Sequence, residues 1–116
     1  MSEFKINPEE VPTALRTKIL WMQLARLREQ LGYNQSTLAS AVKLKQATIS
    51  SIENGRTRPS LKTQVRLAEF FEFDSINDLK AKLENFIHWP DQFNIIKAYL
   101  SQEQKKGDVK ERRKSL

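Results

Sequence analysis

QSTLASAVKLKQATISSIENG, residues 35–55, places apolar side chains at helical spacing twice over, with three residues between the two sets. Asn34 is an N-cap residue by type, and Leu38, Ala39 and Val42 fall three to four positions apart, so they share one face of a first short helix. A second helix begins near Gln46: Ile49 and Ile52 repeat the spacing, while Gln46, Ala47, Ser50, Ser51 and Asn54 point elsewhere. One side of this helix is apolar and the other is short, polar and uncharged. Only Ala39 can sit where the two helices cross, because a bulky side chain would push their axes beyond a closest approach of roughly 8 Å. The connection Lys43-Leu44-Lys45 has the length of the turn in a helix-turn-helix, with Leu44 as an apolar plug beneath it.

Outward from this stretch the pattern stays helical. Ser2–Glu10 reads as loosely ordered, and Pro12 stands at the start of a helix expected to run to Leu31, with a break, if any, near Arg16. Leu20, Leu24, Leu27 and Leu31 are expected to line one face of it, and Gly32 to close it as a C′ residue. Downstream, Gly55 permits a left-handed turn and Pro59 blocks helix continuation. The next helix starts after Ser60 with Val65, Ala68 and Phe71 or Phe73 facing inward. Asp74 or Ser75 then caps a further helix holding Ile76, Leu79 and Leu83. No strand-like alternation, internal repeat or low-complexity tract interrupts this reading.

The arrangement resembles the helix-turn-helix domain of the Cro/repressor-type (XRE-like) family, found in phage repressors, bacterial regulators and antitoxins, over roughly Met22–Leu79. LARLREQLGYNQ (Leu24–Gln35) is similar to the family's first helix and its Gly-containing exit; SIENGRTRPS (Ser51–Ser60) to the end of its third helix and its basic loop; LKTQVRLAEFFEF (Leu61–Phe73) to its fourth helix. The resemblance implies an all-α, five-helix lambda-repressor-like DNA-binding domain over 22–79, with the motif at 35–55. Around it would lie an N-terminal helical extension (1–21), a C-terminal helical extension (80–104) and a basic mobile tail (105–116). Two positions depart from the pattern: Lys43 and Glu72 stand where the family has glycine. Each would cost about 1 kcal/mol if it kept a left-handed conformation.

The resemblance also implies roles. Gln46, Ala47, Thr48 and Ser51 would face the major groove of double-stranded DNA, where glutamine pairs bidentately with adenine and an alanine or threonine methyl touches a thymine methyl. Against this, Thr48 would merely cap its helix and Ala47 would be a neutral surface residue. Gln35, Ser36, Lys45, Ser50, Asn54, Arg56, Arg58 and Lys62 are the candidates for anchoring the DNA backbone, which positions without specifying; Gln35 would also brace Gln46. Arg28 and Glu53 stand at the places of a partly buried ion pair with a scaffolding role, since removing one partner leaves an uncompensated charge.

Charge agrees with this reading. The chain of 116 residues carries a formal net charge of +6. Between Lys43 and Arg66 six basic residues face one acid, Glu53. A surface of this kind attracts a phosphate backbone with salt-dependent affinity; alone, it would read as a solvated face. There is no cysteine, hence no disulfide, thiol nucleophile or thiolate zinc site. The single histidine, His88, has no second histidine for a metal site or dyad and reads as structural, and three glycines make no phosphate loop. No enzyme activity, cofactor or metal is expected. No apolar run nears the roughly 20 residues of a membrane span, and SEFKINPEEVP is not a signal peptide, so a cytoplasmic protein without membrane contact is expected.

Beyond Leu79 the resemblance stops. Leu83, Phe86, Ile87, Trp89, Phe93, Ile95, Ile96, Tyr99 and Leu100 are too many large apolar groups for a disordered tail, and Trp89-Pro90 marks a break before another helix. Part of this surface is expected to form a homodimer interface, because reading two half-sites about 34 Å apart calls for a two-fold protein. Part is expected to pack on the N-terminal extension, where Phe4, Ile6, Val11, Leu20 and Trp21 also lack partners in the minimal fold. The closing stretch KKGDVKERRKSL reads as a solvated tail; six basic and three acidic residues lie between Gln102 and Leu116. The function expected is a dimeric, sequence-specific repressor. The alternative is an antitoxin that regulates its own operon and binds a toxin.

Overall fold

The described part of the chain, residues 5–102 of a computed structural model, is built from helices and their connections. A 3₁₀ turn at Pro8–Glu10 precedes α1 (Thr13–Met22), α2 (Leu24–Gln30), α3 (Gln35–Ala41), α4 (Gln46–Glu53), α5 (Leu61–Phe70) and α6 (Ile76–Asn85). A second 3₁₀ turn, Trp89–Gln92, leads into helical residues 93–102. Arg16–Ile87 forms one compact unit, and the described residues before and after it group into a second.

Side chains start three of these helices. Asn34 accepts from the Thr37 amide at 2.7 Å, Ser60 from that of Thr63 at 3.2 Å, and Ser75, rather than Asp74, from that of Asp78 at 3.1 Å. Each satisfies one of the free amides of a first turn and contributes about 1 kcal/mol. α4 differs: its N-cap is Lys45, which makes no capping hydrogen bond.

Four helices end in one way. After α2, α3, α4 and α5 a residue with positive φ turns the chain so that two successive amides return to carbonyls of the last turn: Gly32 and Tyr33, Lys43 and Leu44, Gly55 and Arg56, Glu72 and Phe73. The two departures from glycine therefore keep the left-handed geometry, at φ 58° for Lys43 and 63° for Glu72.

Three expectations need correction. The N-terminal helix breaks at Gln23 and not near Arg16, which lies inside α1. The Gln23 amide nitrogen bonds the Leu20 carbonyl while its buried side chain donates to Ile19 O at 3.1 Å, so the side chain takes the acceptor its own backbone would have used. Leu31 is 50 % exposed because it is the C-cap of α2, beyond the last turn that faces the core. Val65 is 40 % exposed, and the buried face of α5 is Thr63, Leu67 and Ala68. Val65, two positions from Thr63, is carried about 200° round the helix and cannot share that face.

The core of Arg16–Ile87 gathers Trp21, Leu24, Leu27, Leu38, Ala39, Val42, Ile49, Ile52, Leu67, Ala68, Leu79 and Leu83, with Leu20, Leu44, Phe70, Phe71, Phe73 and Phe86 packed around it. Trp21 and Leu83 belong to this core although they lie outside 22–79. At its edge Tyr33, Phe70 and Phe71 meet edge to face, with centroids 5.0 to 6.4 Å apart. In the second unit Val11 and Leu15 are buried and Ile95, Ile96 and Tyr99 half-buried, while Phe93 and Leu100 are 38 % and 49 % exposed. Phe4 and the stretch 105–116 lie outside the described residues. Among the described residues no helix is long and apolar enough to cross a membrane.

Candidate nucleic-acid interface

α3 and α4 pack directly on one another, and α4 also meets α2. Ile49, Ile52 and Glu53 bury one side of α4, which leaves the other to solvent. Lys45, Gln46, Ala47 and Asn54 are exposed; Thr48, Ser50 and Ser51 are half-buried. Thr48 does not occupy the N-cap, which is Lys45. Ser50 and Asn54, one turn apart, are joined by a hydrogen bond from Asn54 Nδ2 to Ser50 Oγ at 3.2 Å. The groove-facing candidates thus lie on the free side of a helix whose opposite side is locked into the core.

A continuous hydrogen-bonded chain runs from that locked side to the exposed one. Arg28 and Glu53, 9 % and 8 % exposed, pair through two bonds, Nε to Oε2 at 2.9 Å and Nη2 to Oε1 at 3.0 Å. The parallel fork is the strong form of this interaction. Arg28 Nη1 also donates to the Tyr33 carbonyl at 2.8 Å, so the guanidinium ties α2, its exit turn and α4 together. The hydrogen bond to Glu53, working against burial, raises the Arg28 pKa above its ordinary value. Gln35 Nε2 donates to Glu53 Oε1 at 3.0 Å, and Gln46 Nε2 approaches Gln35 Oε1 at 3.5 Å, longer than the usual range of about 2.7–3.2 Å and so a weak bond. Nothing in the local pattern around Gln35 marks its bond to Glu53, eighteen residues away in sequence. That bond settles which way the Gln35 amide faces, because the carboxylate accepts only and so must meet the NH₂ end.

Basic residues stand at the N-cap of α4 and in the loop and helix that follow it. Lys45, Arg56, Arg58 and Lys62 are exposed, and none forms an ion pair with a described residue. Ser36 is exposed beside the half-buried Gln35 in the first turn of α3. Arg66 differs from the other basic residues of the stretch: its Nη1 donates to the Val42 carbonyl at 3.4 Å, across the end of α3.

Lys18 joins the exit of α4 from outside the motif. A Cβ built on Gly55 would lie 2.7 Å from Lys18 Cε and 2.9 Å from Met22 Sδ. The far ends of two flexible α1 side chains thus lie against the exit of α4, and it is the positive φ of 77° at Gly55, more than lack of room, that favours glycine there. Spacing within α1 could not reveal this, since the approach is tertiary.

Residues 24–75 match the family model described as helix-turn-helix. The match runs from the start of α2 to the N-cap of α6, less than half of the chain. Comparison with curated proteins and with solved structures gave no match.

Proposed function

Residues 24–75 are a helix-turn-helix domain of the Cro/repressor type, and on that premise we propose that the chain is a sequence-specific regulator of transcription that binds double-stranded DNA as a homodimer and represses by occupancy. α4 enters the major groove, with Gln46, Ala47, Thr48 and Ser51 toward the bases. Gln35, Ser36, Lys45, Ser50, Asn54, Arg56, Arg58 and Lys62 hold the sugar-phosphate backbone.

The observation that carries this reading is the chain from Arg28 through Glu53 and Gln35 to Gln46. Gln46 spends one amide hydrogen on Gln35 and keeps the other together with its oxygen. That donor and acceptor pair complements the edge of adenine, whose N7 accepts and whose N6 amino group donates. A long exposed side chain ordinarily loses rotamer freedom when it binds; one held from behind has lost part of it already.

Selection of bound sequences from a random duplex library is the direct test. A palindromic site is expected, with half-sites about 34 Å apart on one face of the duplex. Recovery of no preferred sequence would remove the base-reading role, and a single asymmetric half-site would remove the dimer. Exposed Phe93 and Leu100 also favour a second reading, in which the same domain regulates its own operon while the second unit holds a toxin. A stable one-to-one complex with the product of an adjacent gene would decide for it against a homodimer that binds DNA unaided.

A further inference from the structure

Within Arg16–Ile87 a cleft of about 750 Å³ lies between α1, the loop after α4, α5 and α6, lined among others by Trp21, Thr57, Arg58, Gln64 and Lys80. Its chemistry is one-sided. It holds two cations and no carboxylate, and neither Arg58 nor Lys80 pairs with an acid among the described residues. Gln64 uses one amide hydrogen on the Pro59 carbonyl at 3.1 Å and retains another. Trp21 is 1 % exposed and reaches the lining of this cleft with the small part of its side chain that stays open.

We infer that the cleft is a binding site for a phosphate group. A guanidinium and an ammonium with no carboxylate to pair them, together with an amide N–H and a hydroxyl, can all donate, and the ligand they suit accepts hydrogen bonds and carries negative charge. The volume lies within the range of small-molecule sites and exceeds what a bare phosphate fills. Two sources fit that chemistry: a phosphate-bearing small molecule, or a backbone phosphate of DNA flanking the half-site. Trp21 and Lys80 lie outside the matched residues 24–75, so the site is assembled from parts the helix-turn-helix alone lacks. Arg58 belongs both to this cleft and to the proposed backbone contacts. Resting on the DNA-binding reading, occupancy by a free phosphate compound would then lower DNA affinity by withdrawing Arg58.

Trp21 supplies the measurement. The chain has two tryptophans, and Trp89→Phe leaves Trp21 as the only one. Pyrophosphate titrated into this variant at constant ionic strength should change its emission saturably, and Lys80→Gln or Arg58→Gln should weaken that binding by about tenfold or more, the scale of one charge-assisted hydrogen bond. Unchanged thermal melts check that both variants fold. In a second arm, a labelled mixed-sequence duplex is bound at several salt concentrations. If pyrophosphate is silent but the duplex changes Trp21 emission, and Lys80→Gln lowers the slope of log affinity against log salt by about 0.9, the phosphate is that of DNA. A response in neither arm, or one that survives both substitutions, overturns the site. Failure of the protein to bind any duplex would overturn the DNA-binding reading instead, and the pyrophosphate arm would still decide the cleft.

Discussion

At its C-terminal end α4 is held by a buried carboxylate forked onto Arg28 and by a glycine against which α1 packs. Its N-terminal end has neither: Lys45 caps without a side-chain bond, Gln46 is exposed, and the chain enters through Lys43, a lysine in a conformation suited to glycine. One eight-residue helix thus has an anchored end and a free one. The anchored end concentrates buried contacts, and the free end presents Gln46, Ala47 and Thr48, three of the four residues proposed above to read bases. This division predicts that substitutions at the two ends separate folding from recognition.

The largest effect belongs to the anchored end. Arg28→Ala leaves Glu53 buried without its fork and should destabilise the domain by about 3–5 kcal/mol, read as a lower denaturant midpoint. A midpoint equal to wild type would mean that the pair is dispensable and that the end is held by packing alone. Gly55→Ala follows, at about 1–3 kcal/mol, for it forces a Cβ into positive φ and toward Lys18 and Met22. Part of that cost is relieved by movement of the flexible lysine, so Gly55→Ala with Lys18→Ala should recover some stability. Strict additivity of the two would show that the close approach costs nothing.

At the free end the sign reverses. Lys43 is exposed, forms no ion pair with a described residue, and holds φ at 58°. Lys43→Gly should therefore stabilise by about 1 kcal/mol without changing the denaturant slope. A lower midpoint would mean that the lysine makes a contact worth more than its backbone strain.

These particulars also mark what was legible in the chain. α3, α4 and their three-residue turn follow from short-range periodicity, and so does the burial of Leu38, Ala39, Val42, Ile49 and Ile52. The positions of the non-glycine turns were visible, but whether Lys43 and Glu72 keep positive φ depends on the returning amides of Leu44 and Phe73. The break at Gln23 was hidden because it arises from a side chain competing with its own backbone for Ile19 O, a contest that periodicity does not register. Val65 was misplaced because the phase of α5 is set at Thr63, a polar residue buried beside its cap. The bond from Gln35 to Glu53, the approach of Lys18 to Gly55 and the shared cleft of Trp21 and Lys80 are tertiary, and no local pattern encodes them.

Gln46→Ala should have the smallest effect on stability and is the sharpest test of the division. Its side chain is exposed, and its one hydrogen bond among the described residues, to Gln35, is long. Surface positions of this kind change stability by no more than about 0.5 kcal/mol. Recognition should respond differently: loss of a bidentate partner removes about 1–3 kcal/mol of discrimination at one base pair, so the selected site should relax at that position and nowhere else. Arg56→Ala supplies the contrast, weakening all sequences alike and lowering the salt slope by about 0.9. If Gln46→Ala also weakened all sequences alike, the free end would be another backbone anchor, and base selection would have to move to Ala47, Thr48 and Ser51. If it lowered the denaturant midpoint as Arg28→Ala does, the chain of bonds would bear load along its whole length and the two ends of α4 would be one structural unit.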